Sequence, residues 1–182
     1  KILDFRTLEC LHTLVGHTSW INSIAISSDG KYIVSESHNN TIKIWNFRTL
    51  ECLNTLKSWV NSIAISPDSK YIALGSDDKT IKILDFRTLE CLHTLEKHED
   101  LINSIEISPD SKYIVSRSYD STIKIWDFKT AECLNTLEEY TYSVNSSVNS
   151  IAISPDSKYI VLGSYDKTIK ILDFRTLECL HT

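Results

Sequence analysis

The chain has 182 residues, 42% of them hydrophobic and 24% charged, with a net charge of −5. That mixture can bury a real core and excludes disorder as the main state, and Lys and Arg form no block of like charge, so neither nucleic acid nor anionic membrane is expected as a partner. No stretch approaches the roughly 18 continuous apolar residues of a membrane helix and the start KILDFRTLEC has no secretory pattern, so a soluble, cytoplasmic chain is expected; the lack of Met, position 1 included, points to processing or to a longer parent polypeptide.

Residues 1–14 open with KILDFRTLECLHT, which returns unchanged at Lys170–Thr182, and read as two outer strands of a preceding unit. The next unit, 15–56, holds β-rich runs at Ile21–Ser27, Tyr32–Ser37, Thr41–Asn46 and Glu51–Leu56, with a turn at Ser28-Asp29-Gly30 after the first. The same order recurs over 57–95, 96–137 and 138–182, marked by NSIAISSDGKYIV, NSIAISPDSKYIA, NSIEISPDSKYIV and NSIAISPDSKYIV beginning at Asn22, Asn61, Asn103 and Asn149. Apolar and polar residues alternate in Ile42-Lys43-Ile44, β-branched residues abound and no helical period persists, so each unit is an antiparallel meander of four strands. A small meander cannot bury both faces alone. Successive units must stack, and a period of about 42 residues fits the blade of a β-propeller and excludes a helical solenoid.

Repeated polar residues have structural readings in this scheme. Asp68, Asp110 and Asp156 sit in Ser-Pro-Asp-Ser turns, where the carboxylate caps its own turn. His12, His93 and His181 share one outer-strand register with Asn54 and Asn135 and are expected to face solvent. Cys10, Cys52, Cys91, Cys133 and Cys179 recur once per unit, which argues against disulfides or a shared metal site; they are expected to be small buried apolar side chains.

Gly16-His17, Ser108-Pro109-Asp110 and Trp126-Asp127, repeating in order along the whole chain, resemble the WD-repeat β-propeller family. The resemblance implies a structural tetrad in the third unit, His98, Ser116, Asp120 and Trp126, and a partial one in the first, His17, Ser35 and Trp45, with Asn39 in place of the Asp. The second and fourth units carry Leu74 and Leu84, and Leu162 and Leu172, where Ser and Trp would stand, and Leu3 assigns the leading strands to that apolar kind. Losing the interacting residues together avoids stranding buried polar groups at about 1–3 kcal/mol each. The alternation suggests duplication of a two-blade module and an even total such as eight. Because the family usually closes larger rings, commonly of about seven blades, the chain is expected to be part of a larger ring or to complete one by self-association.

The units differ most in the loop entering each first strand, VGHTSW, KSW, EKHEDL and EEYTYSVNSS. By resemblance these loops, with the residue before the turn Asp, form a top face that receives peptides and partner domains, here Trp20, His38, Trp59, Asp77, Leu101, Tyr119, Tyr140, Tyr142 and Tyr165, with Glu99, Asp100, Glu138 and Glu139 favouring a basic partner. Trp20 and Trp59 could instead pack between blades. His98, Ser116 and Asp120 contain the residue types of a nucleophilic triad, but their partial repetition in the first unit fits a packing network. Without a phosphate loop, zinc helix or nucleophile elbow, neither cofactor nor metal is expected. The expected function is a non-catalytic protein-interaction scaffold; the alternative is a sensor segment of a multidomain signalling ATPase or kinase.

Overall fold

A computed structural model describes residues 1–138, 148–164 and 167–182, with Asn149 described by its main chain alone. A short leading pair, β1 (Ile2–Leu3) and β2 (Cys10–His12), precedes β3 (Ile21–Ile26), β4 (Tyr32–Ser37), β5 (Thr41–Asn46) and β6 (Cys52–Lys57). The second blade holds β7 (Val60–Ile65), β8 (Tyr71–Ser76), β9 (Thr80–Asp85) and β10 (Cys91–Glu96). The third holds β11 (Ile102–Ile107), β12 (Tyr113–Ser118), β13 (Thr122–Asp127) and β14 (Cys133–Glu138), and the fourth β15 (Val148–Ile153), β16 (Tyr159–Ser164), β17 (Ile169–Asp173) and β18 (Cys179–His181). Each blade is a four-stranded antiparallel meander in chain order, and the leading pair forms its own two-stranded sheet.

Turn chemistry sets the register. In the second blade Ser66 Oγ donates to Asp68 Oδ1 at 2.6 Å and accepts the Tyr71 amide at 2.9 Å, while Ser69 takes a φ of 58°. Gly30 takes that left-handed place in the first blade without side-chain strain. The inner hairpin carries an extra residue at its open end: Ile21 opposes Ser37 and Ser23 opposes Glu36, so Asn22 is a bulge, and Asn61 and Asn103 repeat it.

The core lies between blades. Val34, Ile42 and Ile44 pack against Val60, Ile63, Leu74 and Leu84, and two equivalent clusters join the second blade to the third and the third to the fourth. Tyr32–Phe86, Tyr71–Phe128 and Tyr113–Phe174 form one aromatic contact per interface, with centroids 5.0, 5.3 and 5.0 Å apart. The sheets do not close into a ring, so the molecule is a partial propeller.

The cysteines depart from expectation. Cys10, Cys52, Cys91 and Cys179 are exposed and Cys133 is half-buried; all are free thiols. They lie on the outermost strand, which has a neighbour on one edge only and little cover on its faces. There each thiol turns back to its own strand, as when Cys52 Sγ donates to the Asn54 carbonyl at 3.4 Å. The histidines and asparagines of the neighbouring register are exposed too.

Candidate functional site

The loops above the inner strands are anchored from below by two different devices. In the third blade the Trp126 indole N–H donates to Ser116 Oγ at 2.8 Å, Ser116 lies 2.7 Å from His98 Nε2, and His98 Nδ1 lies 2.8 Å from Asp120 Oδ2. Ser116 accepts from Trp126, so its own proton points to His98, and the imidazole proton sits on Nδ1 facing the carboxylate. Burial holds His98 below its usual pKa against the opposing pull of Asp120, which keeps it neutral. Burial opposes ionisation of Asp120, but hydrogen bonds from the Thr122 hydroxyl, the Glu99 amide and His98 outweigh it and hold its carboxyl below the usual range. The Glu99 amide bond, 2.8 Å, ties the entering loop directly to this network.

The first blade solves the same problem without a charge. Trp45 donates to Ser35 at 2.9 Å and Ser35 meets His17 Nε2 at 2.7 Å, but His17 Nδ1 turns to Thr41 Oγ1 at 3.0 Å. Thr41 donates to Asn39 Oδ1 at 2.6 Å, and Asn39 Nδ2 donates to the Thr18 hydroxyl at 2.7 Å. Burial, and then the nearby Lys43 charge, hold His17 below its usual pKa. In the second and fourth blades Leu74, Leu84, Leu162 and Leu172 are buried at the corresponding places. Ser116 is itself fully buried, a link in a chain beneath the surface rather than a group open to a substrate.

Above these anchors the top-face residues meet in pairs. The His38 amide donates to the Trp20 carbonyl at 2.9 Å, Asp77 to Trp59 at 3.0 Å and Tyr119 to Leu101 at 2.9 Å, so each loop residue is locked across the mouth of its hairpin to the residue before the turn. Ser76 Oγ also donates to the Trp59 carbonyl, and Ser118 Oγ to that of Asp100 at 2.7 Å. Held in this way, Trp20, Trp59 and Tyr119 remain 78%, 62% and 55% exposed. The Trp20 and His38 rings stack at 6.0 Å, and the Arg117 guanidinium lies 5.0 Å from the Tyr119 centroid. Leu101 and Asp77 are half-buried, and Glu99 and Glu138 are exposed. Tyr140, Tyr142, Tyr165 and Glu139 lie outside the described residues.

Three neighbours of this face had no place in the sequence reading. Glu36 is buried, with Oε2 unbonded. Burial raises its pKa to about 7, with a hydrogen bond from Asn22 opposing and the Asp77 charge adding to the rise. Asn61 Nδ2 donates to Asp77 Oδ1, and Arg117 is buried at the register of Glu36. The signal was present: that register reads Glu36, Gly75, Arg117 and Gly163, a difference between blades as marked as any loop. One cleft of about 470 Å³ is lined by Tyr32, Lys70 and Phe86, and another of about 440 Å³ by Lys97, Asp120 and Lys124 together with Glu99 and Glu138. Among the described residues no three His, Cys, Asp or Glu side chains converge as a metal site, and no helix is long and apolar enough to cross a membrane.

The family described as WD domain, G-beta repeat (WD40) matches residues 8–46, 50–85, 89–127 and 131–173. Among curated proteins, a segment is 40% identical over 45 residues to nuclear distribution protein PAC1 of Arthroderma benhamiae and 44% identical over 45 residues to nuclear distribution protein nudF of Aspergillus flavus. Nuclear distribution protein nudF 1 of Talaromyces marneffei is 42% identical over 45 residues. Each match covers 25% of this chain and 10% of the relative, so the chain spans about a tenth of the relatives it matches.

Proposed function

The chain belongs to the WD40 repeat family, a family of protein-interaction scaffolds, and from that premise we propose that its top face captures a basic peptide or partner domain through Trp20, Trp59 and Tyr119. The observation that carries the reading is the exposure of three large aromatics on loops fixed by backbone hydrogen bonds. Covering each such side chain contributes about 1.5–3 kcal/mol, and pre-fixed loops lose little entropy on binding. Trp and Tyr are the residue types that dominate binding energy at protein interfaces. Asp77, Glu99 and Asp100 stand on the same loops as these rings and favour a cationic partner, while Arg117 beneath Tyr119 works against it on one side. The anchoring networks hold these loops and leave chemistry to none of their members. The alternative of a sensor segment in a signalling ATPase or kinase rests on the near-identity of the blades alone.

Binding to arrayed Lys- and Arg-rich peptides, with acidic peptides as controls, tests the reading. Alanine at Trp20, Trp59, Tyr119 and Tyr165 together should abolish capture of the basic set with the urea midpoint unchanged. Capture that survives in this variant, or that ignores peptide charge, overturns the proposal.

A further inference from the structure

At the end of the strands opposite the varied loops, neighbouring blades meet in clefts that repeat along the stack. Between the first and second blades, a cleft of about 470 Å³ has Tyr32 and Leu53 on one side and Lys70, Phe86 and Arg87 on the other. Between the second and third, one of about 260 Å³ sets Tyr71 and Leu92 against Phe128 and Lys129. Between the third and fourth, one of about 480 Å³ lies between Tyr113 and Phe174, with Lys158 and Arg175 at its rim. All three share one construction: a tyrosine that opens the second strand of one blade packs on a phenylalanine that follows the third strand of the next. Leu53 and Leu92 stand exposed beside the rings.

The rims carry charges of both signs, but the two signs are not equally available. Asp85 Oδ1 accepts the Thr88 and Arg87 amides, both at 2.8 Å, and these bonds hold its carboxyl below the usual range. Asp127 takes the Thr130 and Lys129 amides in the same way, and Asp173 those of Thr176 and Arg175. Lys70, Lys112 and Lys158 lie 3.4, 3.3 and 3.6 Å from Asp68, Asp110 and Asp156, each of which also accepts a serine hydroxyl. That leaves Arg87, Lys129 and Arg175. Their amides hold the turn, a role open to any residue but proline, whereas their side chains are exposed and form no ion pair among the described residues. Each cleft therefore sets an apolar recess beside one cation that has no close counter-charge.

We propose that these clefts bind an acidic, extended segment of a partner protein, with an apolar side chain entering beside the Tyr and Phe rings and an adjacent carboxylate meeting Arg87, Lys129 or Arg175. Covering the apolar side chain supplies the affinity; an exposed ion pair adds little and serves to select. One cleft alone binds weakly. Three of one construction on one molecule let a segment with several such motifs gain through effective concentration, with no new kind of contact. This surface differs from the aromatic top face in position and in the charge it selects, and it stands independently of that reading.

Fluorescence anisotropy tests the proposal, with the full chain titrated into labelled peptides that carry one, two or three Leu-Asp-Glu motifs on Gly-Ser linkers of several lengths. Affinity should rise by on the order of 10²-fold from one motif to two at the linker length that spans neighbouring clefts. Peptides with Ser-Asp-Glu or Leu-Lys-Lys in place of the motif should not bind, because the first lacks the apolar side chain and the second the carboxylates. Arg87→Glu, Lys129→Glu and Arg175→Glu together should abolish binding with the urea midpoint unchanged, since these side chains are exposed. Arg87→Lys with Arg175→Lys should retain it. Alanine at Trp20, Trp59 and Tyr119 should leave it intact, so that this proposal and the capture of basic peptides stand or fail separately. Absence of binding by the three-motif peptide overturns the proposal. So does binding that survives the charge reversal, that is lost with the top-face aromatics, or that does not strengthen with motif number at any linker length.

Discussion

The first and third blades are pinned by hydrogen-bonded chains running from a tryptophan to a loop, whereas the second and fourth fill the same space with leucine. Both kinds keep the same strand order and the same contacts with their neighbours. The lesson is that the polar chain is not what makes a blade; inter-blade packing does that. What the chain adds is a fixed entering loop: Glu99 is held by Asp120, and Thr18 by Asn39. A buried network of this kind is stable only when complete, because each member satisfies the next.

The largest effect should come from breaking that completeness. Trp126→Leu is expected to cost about 3 kcal/mol, through the lost ring volume and the lost indole bond to Ser116. Adding Ser116→Leu and His98→Leu together, which makes the third blade resemble the second and leaves no member of the chain stranded, should recover about 1 kcal/mol by removing buried polar groups and filling the space. Urea unfolding measures both, and a triple variant no more stable than the single would sink the idea that the two blade types are alternative complete solutions.

A smaller effect separates the first interface from the others. Glu36 titrates at about 7 when folded against an ordinary value of 4.5, so between these pH values the folded chain binds more protons than the unfolded one. Stability therefore falls as pH rises through that window, and Glu36→Gln should remove the fall, raising stability at pH 8 by on the order of 2 kcal/mol and changing little at pH 4. His17 and His98 act oppositely: their lowered values make stability present above the ordinary histidine pKa and lost as pH falls below it. An unfolding free energy that keeps the same pH slope in the Glu36→Gln variant would exclude this role.

The smallest expected effect sharpens the comparison between the two polar blades. Asn39→Asp supplies the charge that Asp120 provides in the third, and should raise the His17 pKa and add about 0.5–1 kcal/mol. A His17 titration by NMR that does not move upward would show that Thr41 insulates the imidazole from position 39.

Much of this was legible from residue order. Trp45, Trp126 and their serines announced two pinned blades, and Leu74, Leu84, Leu162 and Leu172 announced two apolar ones, because side chains that meet within one meander recur at fixed separations. The role of Thr41 was not legible: two residues before it Asn39 stands where the third blade has Asp120, and only the hydrogen-bond geometry shows the hydroxyl taking the carboxylate's place. Glu36 and Arg117 were passed over because a charged residue within a strand reads as solvent-facing. The cysteines failed for the opposite reason, since a small apolar type on an outermost strand finds little to cover it.

By itself the sequence determined the repeat, the four-stranded unit, the turns and the alternation of blade types, all of which depend on separations of a few residues to one period. Tertiary structure alone decided which faces are covered: the burial of Glu36, the bare outer-strand cysteines, and the open isoleucines on the first and fourth blades. Burial belongs to a residue and its neighbour together, and in a stacked array that neighbour lies a full blade away, so near-identical segments are buried in one place and bare in another.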